Sequence, residues 1–323
     1  MVINIPVNRI YMEERISGLH HITAIAGNAQ LNFDFYSKIL GLRLVKKTVN
    51  FDDPETYHLY YGNETGTPGT ILTFFPWEQV KQGITGTGMA TEIGFSVPTG
   101  SFDFWTSRFH EKNIAHELPV EKFDELFLAF SDPDGLKIKL VESTHVDLRK
   151  PWHSEEIGGE AAIRGFNSVT LLLQDINPTA LLMTDLLGYR MIKQDGNSYR
   201  FITDAVENAA IVDLIESPGE KRGHVAGGTN HHVAFRVKNE EVQMHFREKI
   251  LSHGLHITEQ IDRNYFYSVY FREPGGVLFE IATDNPGFTV DESLPELGTH
   301  LKLPAQYEED RKHIEKVLIP LKQ

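Results

Sequence analysis

The chain has 323 residues, a formal net charge of −14 at pH 7 and no cysteine. The acidic balance argues against nucleic acid as a partner, because phosphates bind basic surfaces. The lack of cysteine excludes disulfides, thiolate metal sites and a cysteine nucleophile. No apolar run approaches the roughly 18 residues of a membrane helix, and Met1 to Pro6 lack the charged-then-apolar pattern of a secretory signal. We therefore expect a cytoplasmic protein without a membrane partner.

The first structural unit is predicted between residues 18 and 76. A strand at 18–26 precedes a helix, which Asn28 can begin by capping its free N–H groups and which Gly41 can end. Three further strands follow near 42–49, 57–62 and 69–76. The unit therefore has the order βαβββ.

The same order returns three times along the chain. The repeated units span 88–142, 163–216 and 228–283, and a Pro- and Gly-containing linker is predicted at about 146–162. Four tandem βαβββ units predict an α+β protein. The length favours two domains, which we place at 1–150, with units one and two, and 151–323, with units three and four and a C-terminal tail.

The repeat allows two positions to be compared between units, one on the first strand and one on the last. These positions hold His21 and Phe74 in unit one, Glu92 and Lys139 in unit two, Ser168 and Asp213 in unit three, and His232 and Glu280 in unit four. If units one and four lie together, they supply two imidazoles and one carboxylate, the set typical of non-haem Fe(II) sites that keep coordination positions open. Lys139 offers an ammonium group where a ligand is needed, so the other half is predicted to be structural.

Histidines outside this pattern have a simpler interpretation. His58, His110, His116 and His253 are expected to be packed and hydrogen-bonded, as most isolated histidines are. Glu280 differs because it lies in an apolar strand, where a carboxylate is costly unless it is paired or metal-bound.

Seven stretches of the chain together carry a family resemblance: Gly18 to Thr23, Tyr57 to Tyr61, Gly66 to Thr70, His231 to Phe235, Arg263 to Phe266, Pro274 to Glu280 and Gly287 to Glu292. With them the chain resembles the vicinal oxygen chelate superfamily of glyoxalases, bleomycin resistance proteins and extradiol dioxygenases. Within that superfamily the ring-cleaving hydroquinone dioxygenases are most similar, over residues Ile16 to Pro304.

The resemblance implies two domains with cupped mixed sheets and an Fe(II) site, with Mn(II) as the alternative metal. It implies that His21, His232 and Glu280 are the ligands. It also implies catalytic roles for His231, Arg263 and Tyr270, and substrate contacts from His20 and Thr23. Strand alternation does not decide whether Tyr265, Tyr267 or Tyr270 faces the metal.

The chemistry implied is extradiol-type ring cleavage of a hydroquinone or catechol by O₂. Three protein ligands leave about three positions, enough for a phenolate oxygen and O₂. A histidine suits the proton transfers because its unperturbed pKa lies near neutrality. Neighbouring strand residues face opposite sides, so His231 needs a bulge or twist to reach the cavity of His232. Arg263 can stabilise developing negative charge.

Two other functions compete with this interpretation. A glyoxalase-type isomerase or lyase generally uses four protein ligands and Ni(II) or Zn(II), and a phenyl ring at Phe74 cannot supply the fourth. A metal-free binding protein of the same fold does not require the two histidines and the glutamate. The ring substituents, the preference between hydroquinone and catechol, and the formation of a homo-oligomer are left open.

Overall fold

The computed structural model describes residues 15–143 and 145–323, so the segment Met1 to Pro6 lies outside the described residues. The strands of units one and two are β1 (Leu19–Ala26), β2 (Arg43–Asn50), β3 (Asp53–Gly62), β4 (Ile71–Pro76), β5 (Met89–Val97), β6 (Val120–Lys122), β7 (Glu125–Ser131) and β8 (Lys137–Glu142). Those of units three and four are β9 (Gly165–Leu173), β10 (Arg190–Asp195), β11 (Ser198–Ile202), β12 (Ile211–Glu216), β13 (Thr229–Val237), β14 (Ile261–Asp262), β15 (Phe266–Arg272) and β16 (Leu278–Pro286).

One helix follows the first strand of every unit. In units one and three it begins as an α-helix and continues as a π-helix. The helices are α1 (Ala29–Phe33, continuing over Asp34–Ile39), α2 (Phe102–Glu111), α3 (Asn177–Leu181, continuing over Leu182–Leu186) and α4 (Glu240–Ser252), and the tail adds α5 (Arg311–Val317) and short 3₁₀ segments at Phe288–Val290, Leu294–Glu296 and Ala305–Tyr307. Asn28 caps α1 by accepting a hydrogen bond from the Leu31 N–H, and Gly41 has φ +69° just after the helix. The predicted βαβββ order and the α+β class are confirmed.

Within the described part of the chain, the strands form two eight-stranded sheets, each curled into a half-barrel cup. The first has the order β14-β15-β16-β13-β1-β4-β3-β2 and combines units four and one. The second has the order β10-β11-β12-β9-β5-β8-β7-β6 and combines units three and two. In both sheets the opening strands of the two units pair antiparallel at the centre, β1 with β13 and β5 with β9. His21 and His232 therefore stand on adjacent strands.

Each sheet takes one unit from either side of the boundary predicted at residue 150. The division into 1–150 and 151–323 stays a prediction. The predicted linker at 146–162 lies outside the helices and strands. In it, Arg149 donates to the carbonyl oxygens of Gly69 and Phe166, each at 3.0 Å, and so ties unit one to unit three.

The C-terminal tail closes the first cup. Lys46 on β2, at one edge of the sheet, is fully buried, and its ammonium group contacts carboxylates of Asp291 and Glu292, each at 2.5 Å. Tyr265, beside β15 near the other edge, donates its hydroxyl to Asp291 at 3.0 Å. The tail thus bridges the two edges of the sheet that carries the candidate ligands.

The main apolar core combines side chains from both sheets and from the helices of all four units, including Phe35, Trp105, Leu186 and Phe246. Among the described residues, no helix has the length and apolar character needed to cross a bilayer.

Candidate metal centre and cavity

Three side chains from three strands of the first sheet converge at its centre: His21 from β1, His232 from β13 and Glu280 from β16. The Nε2 atoms of the two histidines are 3.3 Å apart. Oε2 of Glu280 lies 3.2 Å from Nε2 of His21 and 3.0 Å from Nε2 of His232. All three residues are buried, and among the described residues they are the only group of three or more that could hold a metal ion.

The spacing of these three atoms fits a single bound cation. Nitrogen and oxygen ligands lie about 2.1 Å from a first-row metal ion, so two neighbouring ligands are about 3.0 Å apart in octahedral geometry and about 3.4 Å apart in tetrahedral geometry. The three observed distances fall in this range. Oε2 of Glu280 is buried and has no hydrogen-bond donor among the described residues, and a cation would satisfy it.

Glu280 is fixed by its other oxygen, which accepts a hydrogen bond from the Ser268 hydroxyl of β15. Burial alone would raise the pKa of Glu280, but its electrostatic interaction with His21 and His232 outweighs the burial and holds the pKa well below its ordinary range. The side chain is therefore a carboxylate, the form that binds metals.

Each candidate ligand histidine is held by the histidine that precedes it. Nδ1 of His20 lies 2.9 Å from Nδ1 of His21, and Nε2 of His20 lies 3.0 Å from the carbonyl oxygen of Thr283. The carbonyl can only accept, so His20 carries its proton on Nε2 and accepts at Nδ1 from His21. This assignment leaves Nε2 of His21 unprotonated and free to bind a metal.

The same contact recurs in unit four, where Nδ1 of His231 lies 2.7 Å from Nδ1 of His232. If Nε2 of His232 binds a metal, its Nδ1–H donates to His231, and His231 must carry its own proton on Nε2. Burial, with the neighbouring His232 and Arg272, lowers the pKa of His231 to about 3, so the ring is neutral at neutral pH. His231 therefore presents an N–H donor rather than a base.

Two β-bulges make these contacts geometrically attainable. Leu19 pairs with Phe235 and His21 with Ala234, so His20 is an extra residue on β1. Thr23 pairs with His232 and Ala24 with Asn230, so His231 is an extra residue on β13. The expectation that His231 needs a bulge to reach the cavity is thus met by the register of these strands.

A cavity of about 300 Å³ lies over the three candidate ligands, at the small end of the usual range for small-molecule sites. Its wall is largely aromatic, with polar groups near the metal position and at the mouth. The lining residues include His21, Thr23, Phe51, Asp52, His58, Tyr60, Phe75, Trp77, His231, His232, Arg263, Phe266 and Tyr270. The space suits one substituted aromatic ring.

The predicted catalytic and substrate-binding residues differ in whether they line the cavity. Thr23, His231, Arg263 and Tyr270 line it, whereas His20 does not and lies behind His21. Its substrate contact stays a prediction, since its observed contacts are with His21 and the Thr283 carbonyl.

The tyrosine left open by the sequence is resolved by the strand register. Phe266, Ser268 and Tyr270 alternate on β15 and share the inner face, and the Tyr270 ring lies 5.6 Å from the His232 ring. Tyr265 instead bonds to the tail, and Tyr267 is absent from the described cavity lining. Burial raises the pKa of Tyr270, and the nearby Glu280 carboxylate raises it further, so its hydroxyl keeps its proton.

Arg263 brings positive charge to the mouth of the cavity. Its guanidinium lies 5.5 Å from the centre of the Tyr270 ring and 3.6 Å from an oxygen of the exposed Asp52. Arg263 can attract an anionic substrate oxygen, while Asp52 moderates the charge at the entrance.

His58 is a cavity residue that sequence reasoning missed. It was expected to be packed and hydrogen-bonded; the hydrogen bonds are present, but the ring also lines the cavity beside Phe75, 4.3 Å between ring centres. Burial and the neighbouring His21 and His232 hold its pKa well below the ordinary value. The signal available in the sequence was its place in the alternation with Tyr60 on β3.

The residue of unit one that is equivalent to Glu280 of unit four is Thr73, not Phe74. The sequence comparison placed Phe74 there, but Thr23 pairs with Thr73 just as Ala234 pairs with Glu280. Phe74 faces the core, where its ring lies 4.5 Å from that of Tyr36. A one-residue error in register exchanges the two faces of a strand. No carboxylate or imidazole occupies the slot in either assignment.

The second cup contains ion pairs where the first has its candidate ligands. Lys139 pairs with Glu92 at 2.6 Å, and Arg200 pairs with Asp213 at 2.8 Å and also with Glu125. These pairs support the expectation that this half is structural.

Comparison with known proteins places the chain in a family. A profile of the Glyoxalase/Bleomycin resistance protein/Dioxygenase superfamily matches residues 18–140 and 165–281. The chain belongs to this superfamily. It is 44% identical over 309 residues to "Putative ring-cleaving dioxygenase MhqO" of Bacillus subtilis (strain 168), which covers 96% of this chain and 98% of the relative. It is 36% identical over 305 residues to chlorohydroquinone/hydroquinone 1,2-dioxygenase of Sphingobium indicum, covering 92% and 94%.

A solved structure agrees with the fold. A crystal structure of a "putative dioxygenase" from Bacillus subtilis subsp. subtilis str. 168 superposes with a TM-score of 0.92 at 43% identity, covering 96% of this chain and 98% of the other. The two-domain, cupped-sheet architecture expected from the resemblance is confirmed.

Proposed function

We propose that this protein is a metal-dependent ring-cleaving dioxygenase that uses O₂ to open a hydroquinone-type aromatic ring. The single observation that carries the proposal is the convergence of His21, His232 and Glu280 at the floor of an aromatic-walled cavity of about 300 Å³. The relatives described above, which align over nearly the whole chain, support the same reaction class.

The metal would be held by His21, His232 and Glu280, with Fe(II) preferred and Mn(II) as the alternative. Two imidazoles, one carboxylate and open positions are the set used by non-haem Fe(II) oxygenases. Bound there, the metal supplies coordination of a phenolate oxygen and activation of O₂, which reacts poorly with singlet aromatics.

The chain's own residues then bind and orient the ring. Phe75, Trp77 and Phe266 are placed to pack on its faces and edges, and the largely apolar wall limits water. Arg263 offers a fixed cation to an anionic ring oxygen, and Tyr270 offers a protonated hydroxyl. His231 holds a proton at Nε2, where it can donate to an oxygen that gains negative charge during ring opening.

A para-diol is favoured over a catechol as substrate. A chlorohydroquinone/hydroquinone 1,2-dioxygenase aligns over 92% of this chain. The cavity also has hydrogen-bond donors at two depths, which suits a ring with oxygens at opposite ends: Thr23 and His231 lie beside the candidate ligands, and Arg263 lies at the mouth. In a hydroquinone the broken bond would join a hydroxyl-bearing carbon to its neighbour. We expect the catechol, extradiol-type reaction to be the slower one.

The test is oxygen uptake by protein reconstituted with Fe(II) under anaerobic conditions. Methylhydroquinone, hydroquinone and catechol are compared, with metal analysis of the same sample and the E280Q variant as the matched control. Uptake equal to the ring-opened product formed from a para-diol, and absent in E280Q, supports the proposal. No uptake with any diol, together with tight binding of one Ni(II) or Zn(II), would instead favour isomerase chemistry.

A further inference from the structure

A chain of hydrogen bonds links Tyr60, through His58 and Thr73, to Thr23. It passes through the position in unit one that is equivalent to Glu280 and that holds no metal-binding group. The Tyr60 hydroxyl lies 2.8 Å from Nδ1 of His58, and Nε2 of His58 lies 2.9 Å from Oγ1 of Thr73. Oγ1 of Thr73 lies 2.8 Å from Oγ1 of Thr23, which lines the cavity. Thr73 is the unit-one counterpart of Glu280 by strand register.

The direction of the protons along this chain follows from its buried end. Tyr60 is 1% exposed, and among the described residues its hydroxyl has a single hydrogen-bond partner, His58. If Tyr60 accepted from His58, its own proton would have no acceptor among the described residues and could go only to a molecule in the cavity, whose lining includes Tyr60. Without such a molecule the buried hydroxyl proton would be unpaired, which is costly. Tyr60 therefore donates to Nδ1 of His58.

The remaining protons follow from that one. With Nδ1 accepting, the neutral His58 ring carries its proton on Nε2 and donates it to Thr73. Thr73, having accepted, donates to Thr23, and Thr23 has no further partner among the described residues. The free proton of the Thr23 hydroxyl is then available only to a group inside the cavity.

We propose that His58 is a positioning residue that, through Thr73, fixes the Thr23 hydroxyl as a hydrogen-bond donor to a deprotonated oxygen of the substrate. This inference rests on the proposed function for the identity of the substrate. Thr23 pairs with His232 across the central strands, so its hydroxyl lies beside the metal position. The arrangement selects a ring oxygen that has lost its proton, because a donor gains most from an anionic acceptor.

The first test reads the His58 tautomer and needs no turnover. In Zn(II)-loaded protein with ¹³C,¹⁵N-labelled histidine, assigned by loss of the signal in H58Q, we expect the Nε2–H form. The Y60F variant, which removes the donor to Nδ1, should relax His58 to a mixture of tautomers. An Nδ1–H form in the unaltered protein would overturn the inference.

The second test is a double-mutant cycle on kcat/KM with the para-diol. H58L and T23V should each lower kcat/KM by about 10-fold or more, the range for a hydrogen bond to a charged group, while iron content stays unchanged. H58Q, whose amide can still donate to Thr73, should stay within about 3-fold of the unaltered protein. The H58L/T23V pair should lose no more than T23V alone.

Additive losses in that cycle would overturn the inference, because His58 would then act independently of Thr23. T73V provides the same comparison if H58L does not fold, and it should likewise add nothing in the T23V background. If the unaltered protein oxidises no diol, the proposed function fails, and the tautomer measurement alone decides whether His58 sets the proton direction.

Discussion

His231 offers the sharpest test of the site because one side chain makes two separable contributions. Its Nδ1 lies 2.7 Å from Nδ1 of His232, so it accepts from His232 and orients that residue if His232 binds the proposed metal. The Nε2–H of His231 is then left for the cavity that the residue lines. Replacement by Ala removes both groups at once. Replacement by Asn keeps an acceptor oxygen near the position of Nδ1 and removes the donor at Nε2.

The two contributions have different expected magnitudes. In H231A the buried Nδ1–H of His232 loses its acceptor, at a cost of about 1–3 kcal/mol, which corresponds to metal binding weaker by about 5- to 150-fold. In H231N metal affinity should stay within about 3-fold of the unaltered protein. Both variants should lose turnover by about 10²–10³-fold, the usual effect of removing one donor to developing negative charge.

The assay is competitive Fe(II) titration against a chelator, followed by oxygen uptake at saturating metal. Saturation separates the turnover effect from the affinity effect. An H231N protein that binds iron normally and turns over at the unaltered rate would refute the donor role. An H231A protein with unchanged iron affinity would refute the assigned proton on His232.

Three further outcomes follow from the same structure. E280Q should abolish iron binding. It should leave the melting temperature of the metal-free protein, measured by calorimetry, unchanged or higher, because the amide N–H groups can donate to the two Nε2 atoms that the carboxylate faces. A fall in the melting temperature would contradict this. K46M should lower the free energy of unfolding by about 3–5 kcal/mol in denaturant titration, because it leaves buried Glu292 unpaired. The double variant K46M/E292Q should recover at least about 2 kcal/mol of that loss. If K46M and K46M/E292Q lost the same free energy, the ion pair would be unimportant. The double change E92Q/K139M in the second cup should keep kcat/KM within about 2-fold, and a larger loss would show that this half contributes to the reaction.

Sequence patterns alone predicted much of the architecture. The recurrence of strand, helix and three strands predicted four units, because apolar alternation, the Asn28 cap and glycine helix ends are local signals that need no knowledge of the fold. Comparing equivalent positions between units then selected His21, His232 and Glu280, and the structure brings these three together. A carboxylate in an apolar strand is conspicuous even without a partner in view.

Strand register was decided only by the tertiary structure. Thr73, Phe74 and Phe75 are all compatible with a buried strand, so the sequence could not tell whether Phe74, or Thr73 with Phe75, shares the inner face with Thr23. The pairing with β1 places Thr73 and Phe75 there. The bulges at His20 and His231 depend on hydrogen bonds between β1 and β13, which are distant in the chain. These features arise from long-range pairing, in which a shift of one residue reverses which side chains face the cavity.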